Sequence, residues 1–227
     1  MKQRTGFSVN SVRELADFVF LFGNEVLLIF VDKRDGTFSG LHPDPFAKHH
    51  LIASEGEGAF AVENLFRRAP DSFRANATIL LAGGASAAAD HAVRLHALGA
   101  QATYLAPTVP TLLVRLNALL ARATMGTRLY AAGTEGFIGQ VMQMALDHGM
   151  DHQSVSTEHQ GSLARRVQCV HCKGIIEHVT THVVTCAHCG VPLQVRDHYS
   201  RRLGAFMGVS IDAEAPGQVP PAQEVYR

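Results

Sequence analysis

All four cysteines of the chain fall within two CxxC pairs, Cys169/Cys172 and Cys186/Cys189, with thirteen residues between them. No other feature restricts the fold as much. In a CxxC turn the second thiolate folds back beside the first, and two such turns brought together make a tetrahedral cage of four sulfurs. Cys169, Cys172, Cys186 and Cys189 are therefore the expected metal ligands. The competing readings are two disulfides or four free structural thiols. Disulfides need an oxidising compartment, and the start "MKQRTGFSVNSVRE" has neither a continuous apolar run nor a small-residue cleavage site. Between the pairs, "KGIIEHVTTHVVT" is rich in Ile, Val and Thr, and reads as the two arms of a hairpin joining the turns. Gly190, after the last cysteine, permits the positive φ that such a turn needs. His171 and His188 sit inside the turns and would overfill a four-sulfur cage, so they are read as facing solvent. His178 and His182 are read as exposed hairpin positions.

Charge and hydropathy narrow the function classes. The chain carries 20 basic and 20 acidic residues, with a pI near 7.2. That removes the basic footprint of a nucleic-acid binder and the polybasic argument for a membrane surface. Trp is absent, which leaves few platforms for base stacking. The most apolar segment, Leu15 to Val31, is interrupted by Gly23, Asn24 and Glu25 and is too short for a span. A cytoplasmic protein is expected, with neither nucleic acid nor membrane as partner.

The chain divides by pattern near residue 160. "SVRELADFVFLF" reads as a helix opened by Ser11 and Glu14 at capping-box spacing, followed by a strand "EVLLIFVD" and a turn "KRDG". "HHLIAS" and "GAFAVENLFRRA" are read loosely as a strand and a helix. From there the alternation is cleaner. "ATILLAGG", "QATYLAP", "TRLYAAG" and "HQSVSTE" are strands. Between them lie three helices: one capped by Ser86 and stopped at Gly99, one over "TLLVRLNALLARA", and one ending at Gly149. Such alternation predicts βαβ units, and hence a doubly wound, mostly parallel α/β sheet over residues 1–160. Residues 161–227 are expected to form a small zinc-ribbon or rubredoxin-like β segment with an extended, proline-rich tail "DAEAPGQVPPAQEVYR".

Residues 78–162 resemble, in their order of elements, the pyridine-nucleotide module of ferredoxin reductases. The resemblance places Gly83 and Gly84 at that module's first turn. It puts Ala132 where the family keeps a cysteine and Gln160 where it keeps an aromatic residue. With these substitutions, and with no complete flavin barrel before residue 76, the module is read as a scaffold that binds no nucleotide, and no cofactor-binding residue is assigned. No nucleophile–base set or carboxylate pair stands out either, so no catalytic residue is assigned.

From Cys186 onward, "CAHCGVPLQVRDHYSRRLGAFMGVSIDAEAPG" and the closing "EVYR" resemble the C-terminal region of DmmA-like small subunits of bacterial dimethylamine monooxygenase. The resemblance implies an accessory subunit of a multicomponent NAD(P)H- and O₂-dependent enzyme that demethylates dimethylamine to methylamine and formaldehyde. Oxygenase and reductase subunits would then be its partners. Arg196, Arg201, Arg202, Tyr199, Phe206 and Met207 are residue types enriched in interfaces; the other reading of "RDHYSRRLGAFMG" is an amphipathic helix packed on its own domain. The tail beyond it would lie along a partner. Zn and a single Fe both suit an all-sulfur tetrahedral site. The first pair lacks the following glycine common in rubredoxins and the loop is short for that family, which favours Zn. A rubredoxin-like carrier of single electrons in the same complex, and a free-standing zinc-ribbon interaction protein, are the alternatives.

Overall fold

The computed structural model describes residues 40–83, 87–200 and 202–226. The helix start at Ser11, the strand "EVLLIFVD", the turn "KRDG", Gly84, Ser86 and Arg201 lie outside them. The described chain begins its alternation with β1 (His49–Glu55) and α1 (Gly58–Arg68), the pair read loosely from the sequence. A short α2 (Asp71–Arg74) leads to β2 (Ala77–Ala82), α3 (Ala87–His96), β3 (Ala102–Ala106), α4 (Val109–Leu120), β4 (Thr127–Gly133), α5 (Glu135–Asp147) and β5 (Val155–His159).

These five strands form one parallel sheet in the order β3-β2-β1-β4-β5. The apolar runs of β1, β2 and β4 follow from burial on both faces. Successive side chains leave a strand on opposite sides. Ile52, Ile79, Leu81 and Tyr130 meet Val62, Leu65 and Phe66 of α1 and Leu95 of α3. Leu51, Leu80, Leu129 and Ala131 meet Leu112 and Leu116 of α4 and Phe137 and Val141 of α5. With helices on both faces, the sheet is doubly wound, as the alternation predicts. Local chemistry sets the helix ends: the Thr108 and Thr134 hydroxyls accept from Thr111 and Phe137 N–H. At the end of α5, Met150 N–H returns to Ala145 O and Gly149 N–H to Leu146 O, the paired bonds of a Schellman stop.

Strand order corrects one expectation. The chain reverses direction across the sheet between β1 and β4, and in such folds the open crevice lies there, at the carboxyl ends of the strands. Gly83 follows β2, one strand away. The turn at the reversal is instead "SEGEG", residues 54–58, a G-x-G spacing directly after β1 that the loosely read region concealed. A Cβ at Gly58 would overlap the Ala132 carbonyl, so α1 starts hard against β4.

The remaining strands are β6 (Arg165–Cys169), β7 (Ile175–Val179), β8 (Val183–Thr185), β9 (Pro192–Ser200) and β10 (Ala205–Ser210). They make a second five-stranded sheet ordered β7-β6-β10-β9-β8. Two expectations change. "RDHYSRRLGAFMG" is not a helix but the β9–β10 hairpin; its buried Leu193, Val195 and Tyr199 alternate with a period of two. And β7 and β8 are not paired arms: β7 pairs with β6 and β8 with β9. Residues 180–182 alone join the two edge strands, a reach of about 14 Å against about 19 Å across a flat five-stranded sheet, so the sheet curls.

The tail turns back into that gap. Glu224 bridges to Thr181, and Val225 and Tyr226 N–H both donate to Thr180 O. The Arg165 guanidinium lies 4.0 Å from the rings of both Phe206 and Tyr226 and donates to Tyr226 Oη and Asp197. The tail's last described residues thus lie on their own sheet rather than awaiting a partner.

The two sheets touch where α5 meets the β9–β10 turn. A Cβ at Gly139 would overlap Tyr199 Oη and sit 3.0 Å from Gly204 Cα. No helix among the described residues is long and apolar enough to cross a membrane.

Candidate metal centre

Each CxxC pair sits at the tip of its own hairpin, and the two tips are built alike. In the β6–β7 hairpin Cys169 N–H donates to Gly174 O and Lys173 N–H to Cys169 O, both at 2.9 Å. In the β8–β9 hairpin Cys186 N–H donates to Val191 O and Gly190 N–H to Cys186 O, again at 2.9 Å. The residue after each second cysteine has positive φ: Gly190 at 75° as expected, and Lys173 at 65°. Lys173 adopts this conformation with its Nζ donating to Val170 O at 2.6 Å, and Gly174 follows it. A Cβ at Gly174 would sit 2.7 Å from His188 Cγ, so the missing glycine of the first pair is displaced by one residue to let the second pair's imidazole lie over it.

The central pairing of β6 with β10, and of β10 with β9, holds the two tips together. All four Sγ atoms lie within 4.8 Å of one another. Cys169 Sγ is 3.8 Å from Cys189 Sγ, and Cys172 Sγ is 3.7 Å from Cys186 Sγ. A tetrahedral ion with sulfur at about 2.3 Å needs sulfurs about 3.8 Å apart, so the donor set fits one. No pair is bonded as a disulfide. Cys169 and Cys186 are buried, with Leu193, Ile176 and Val184 packed around them. Gly174 N–H points at Cys172 Sγ at 3.4 Å.

The cage is electrostatically reluctant on its own. Burial raises the Cys186 thiol, but the backbone N–H groups of His188 and Cys189 outweigh it and bring it down to about 6. Its neighbour behaves oppositely. The Val191 N–H lowers Cys189, yet burial and the three surrounding thiols push it up to about 12. One negative charge is welcome and the next is resisted, the condition that a bound cation reverses.

The histidines stay outside the sulfur set. His171 and His178 are exposed, His188 Nε2 is 2.8 Å from Ile175 O, and His182 Nδ1 accepts from Gln223 N–H.

The crevice at the carboxyl ends of β1 and β4 is lined in part by the end of the β6–β7 hairpin away from its cysteines. A cavity of about 250 Å³ there is lined by Glu55, Thr134, Phe137, Gln140, Arg166 and Glu177. Its charges are used internally. Glu55 Oε2 accepts from Thr134 Oγ1 at 2.6 Å and from its N–H at 3.3 Å. Arg166 donates to Glu177 at 2.8 Å and to Leu203 O at 2.7 Å. Sequence reasoning missed Glu55, Arg165 and Arg166; the G-x-G after β1 was the available signal for the first, and nothing local marks the two arginines.

Two family models match the chain. Residues 35–155 match the N-terminal domain of dimethylamine monooxygenase subunit DmmA-like proteins, and residues 166–209 match their C-terminal domain. The heme-dependent oxidative N-demethylase delta subunit of Ectopseudomonas mendocina (strain ymp) is 38% identical over 114 residues, which are 49% of this chain and 64% of the relative. Among solved structures, the flavohem-like FAD/NAD-binding domain of nitric oxide dioxygenase from Vibrio cholerae O1 biovar El Tor is similar at a TM-score of 0.38 and 17% identity, over 50% of this chain and 52% of that one. Full-length CYP116B46 from Tepidiphilus thermophilus is similar at 0.41 and 17%, over 62% of this chain and 20% of that one.

Proposed function

The chain belongs to the dimethylamine monooxygenase subunit DmmA-like family, and from that premise we propose that it is an accessory subunit of an oxidative N-demethylase acting on dimethylamine. In this reading Cys169, Cys172, Cys186 and Cys189 hold one Zn²⁺. Residues 1–160 are a scaffold without a nucleotide of its own, and residues 161–227 are the metal-bearing segment. The reductase and oxygenase chemistry, including the haem that the relative's name carries, lies with partner subunits. The compartment proposed is the cytoplasm.

The observation that carries the metal assignment is the sulfur spacing of 3.7 and 3.8 Å within a cage that, among the described residues, no further His, Asp or Glu joins. Four thiolates around Zn²⁺ leave no open position, so the ion cross-links two hairpins and takes no part in bond making. Its binding supplies folding free energy to a sheet with a small core.

A second reading has one observation in its favour. The Gly174 N–H aimed at Cys172 Sγ is the kind of contact that tunes the potential of a sulfur-ligated iron. Elemental analysis with a visible spectrum, on protein produced with iron available, separates the two. Colourless protein with one Zn per chain supports the structural reading; a red, reducible centre replaces it with a one-electron carrier. Reconstitution tests the subunit role. Omitting this chain should lower dimethylamine-dependent formaldehyde release by the remaining subunits. Unchanged release and unchanged assembly would refute it.

A further inference from the structure

Of the sheet edges in the described residues, three are protected against pairing with another chain, by devices that natural sheets use. At β5, Glu158 points inward, buried, and accepts from Leu41 N–H and Gln160 Nε2, both at 2.8 Å. At β7, the ladder is broken by a register shift between Arg165 and Val167, and His178 takes a φ of 55°. The β8 strand is three residues long, and the tail bridges beside it at Thr181.

The β3 edge has none of these. Its sequence, ATYLA, contains no charge and no proline, and it pairs in unbroken register with β2. Its two largest side chains are uncovered: Leu105 is 59% exposed and Tyr104 37%. The Arg115 guanidinium lies 4.1 Å over the Tyr104 ring, and Arg122 follows seven residues on, just past the end of α4. Among the described residues no carboxylate pairs with either arginine. The sequence gives the reason: from His91 to Thr134 the chain contains no Asp or Glu at all, although its overall charge is balanced.

We propose that the β3 edge docks an extended segment of another subunit of the enzyme, added as a sixth strand, with apolar side chains over Leu105 and Tyr104 and carboxylates against Arg115 and Arg122. Main-chain pairing along an open edge supplies affinity, and side chains at alternate positions supply selectivity. Charge chooses the occupant. A second copy pairing through the same edge would bring its own Arg115 and Arg122 toward these two, whereas an acidic segment complements them. The inference rests on the subunit role proposed above.

The test uses the full chain reconstituted with the other subunits of its own N-demethylase. Hydrogen exchange is read at residues 102–106 with and without those subunits, and binding is measured for wild type, Leu105→Glu, Arg115→Glu and Arg115→Lys. Leu105 and Arg115 are exposed, so the variants should melt with the wild type. Expected are slowed exchange at 102–106 in the complex, at least tenfold weaker binding for Leu105→Glu and Arg115→Glu, and near-wild-type binding for Arg115→Lys. Assembly with unchanged exchange at β3 and unweakened variants overturns the docking edge while leaving the subunit role standing. A dimer of the isolated chain with β3 protected overturns the choice of occupant. A wild-type chain that binds none of the subunits removes the subunit role, and this inference with it.

Discussion

Replacing Gly139 by alanine probes how the parallel sheet and the cysteine-bearing sheet are held together. Gly139 lies inside α5, where a glycine-to-alanine change on an exposed surface would gain about 1 kcal/mol of helix propensity. Here the added Cβ overlaps Tyr199 Oη and meets Gly204 Cα and O at 3.0 Å. A hydroxyl at the end of a ring can move, but the backbone of a tight turn cannot. Overpacking of this kind costs about 1–3 kcal/mol, so the net effect is a loss of about 0–2 kcal/mol by difference. Gly204→Ala meets the same surface from the other side, 2.7 Å from Gly139 C, at a φ of 56°. It has no helix propensity to gain and adds about 1–2 kcal/mol for a left-handed alanine. Urea unfolding should therefore rank wild type, Gly139→Ala and Gly204→Ala in falling stability. Limited proteolysis at residues 160–164 should accelerate in the same order. A Gly139→Ala protein more stable than wild type by the full propensity gain would refute the reasoning, because α5 would then be free of the hairpin.

Two further outcomes follow from the sites. Cys186→Ser, or treatment with a chelator, should abolish the metal binding proposed here and make residues after 160 sensitive to protease while the parallel sheet keeps its helical circular dichroism; unchanged cleavage would show that the cage is not structural. His50 is buried, stacked 3.8 Å from Phe73 with its Nδ1 3.3 Å from the Tyr130 hydroxyl, and burial holds its pKa at about 4, against the partial opposition of Asp44. Because the folded value lies below the unfolded one, near 6.5, its contribution is whole above that pH and falls as pH drops toward 4. The fall is at most about 3 kcal/mol at about 1.4 kcal/mol per unit, and His50→Phe, melted across that range, should lack it.

The parallel sheet was largely legible because its signals are local. Buried strands read as apolar runs, Gly99 and Gly149 stop their helices, and period alone separates strand from helix. The gathering of the four cysteines was legible for the same reason: CxxC spacing is a sequence property. What failed depended on strands distant in sequence. "DHYSRRLGAFMG" carries enough mixed polarity to pass as a helix, and only its partners in β6 and β8 decide for a hairpin. Whether β7 and β8 pair with each other or with outer neighbours is a question of sheet order that their composition does not encode. Nothing local ties Tyr226 to its own sheet, because its partner, Arg165, lies 61 residues earlier.

The switch point carries the last test. A dinucleotide bound in this kind of fold rests its phosphates in the crevice at the strand reversal, on a helix N-terminus and on backbone able to come close. In this chain the turn that faces that crevice is "SEGEG", and it brings Glu55 to the mouth of α5, hydrogen-bonded to the Thr134 hydroxyl and N–H. The carboxylate thus occupies two donors that an incoming phosphate would use and sets a negative charge beside the others. The neighbouring cation, Arg166, is already committed to Glu177 and Leu203 O. Like charge at about 4 Å costs about 4 kcal/mol at an effective dielectric near 20, enough to move a micromolar site to about millimolar. Calorimetry with NADH and NADPH at micromolar protein should show no saturable heat. Glu55→Gln, which removes the charge and keeps an acceptor for Thr134, is the control for cause. If the wild type binds either nucleotide saturably, the crevice is a working site and the carboxylate does not guard it. If neither protein binds, the loss extends beyond one side chain to the closeness of α1 and β4 at Gly58.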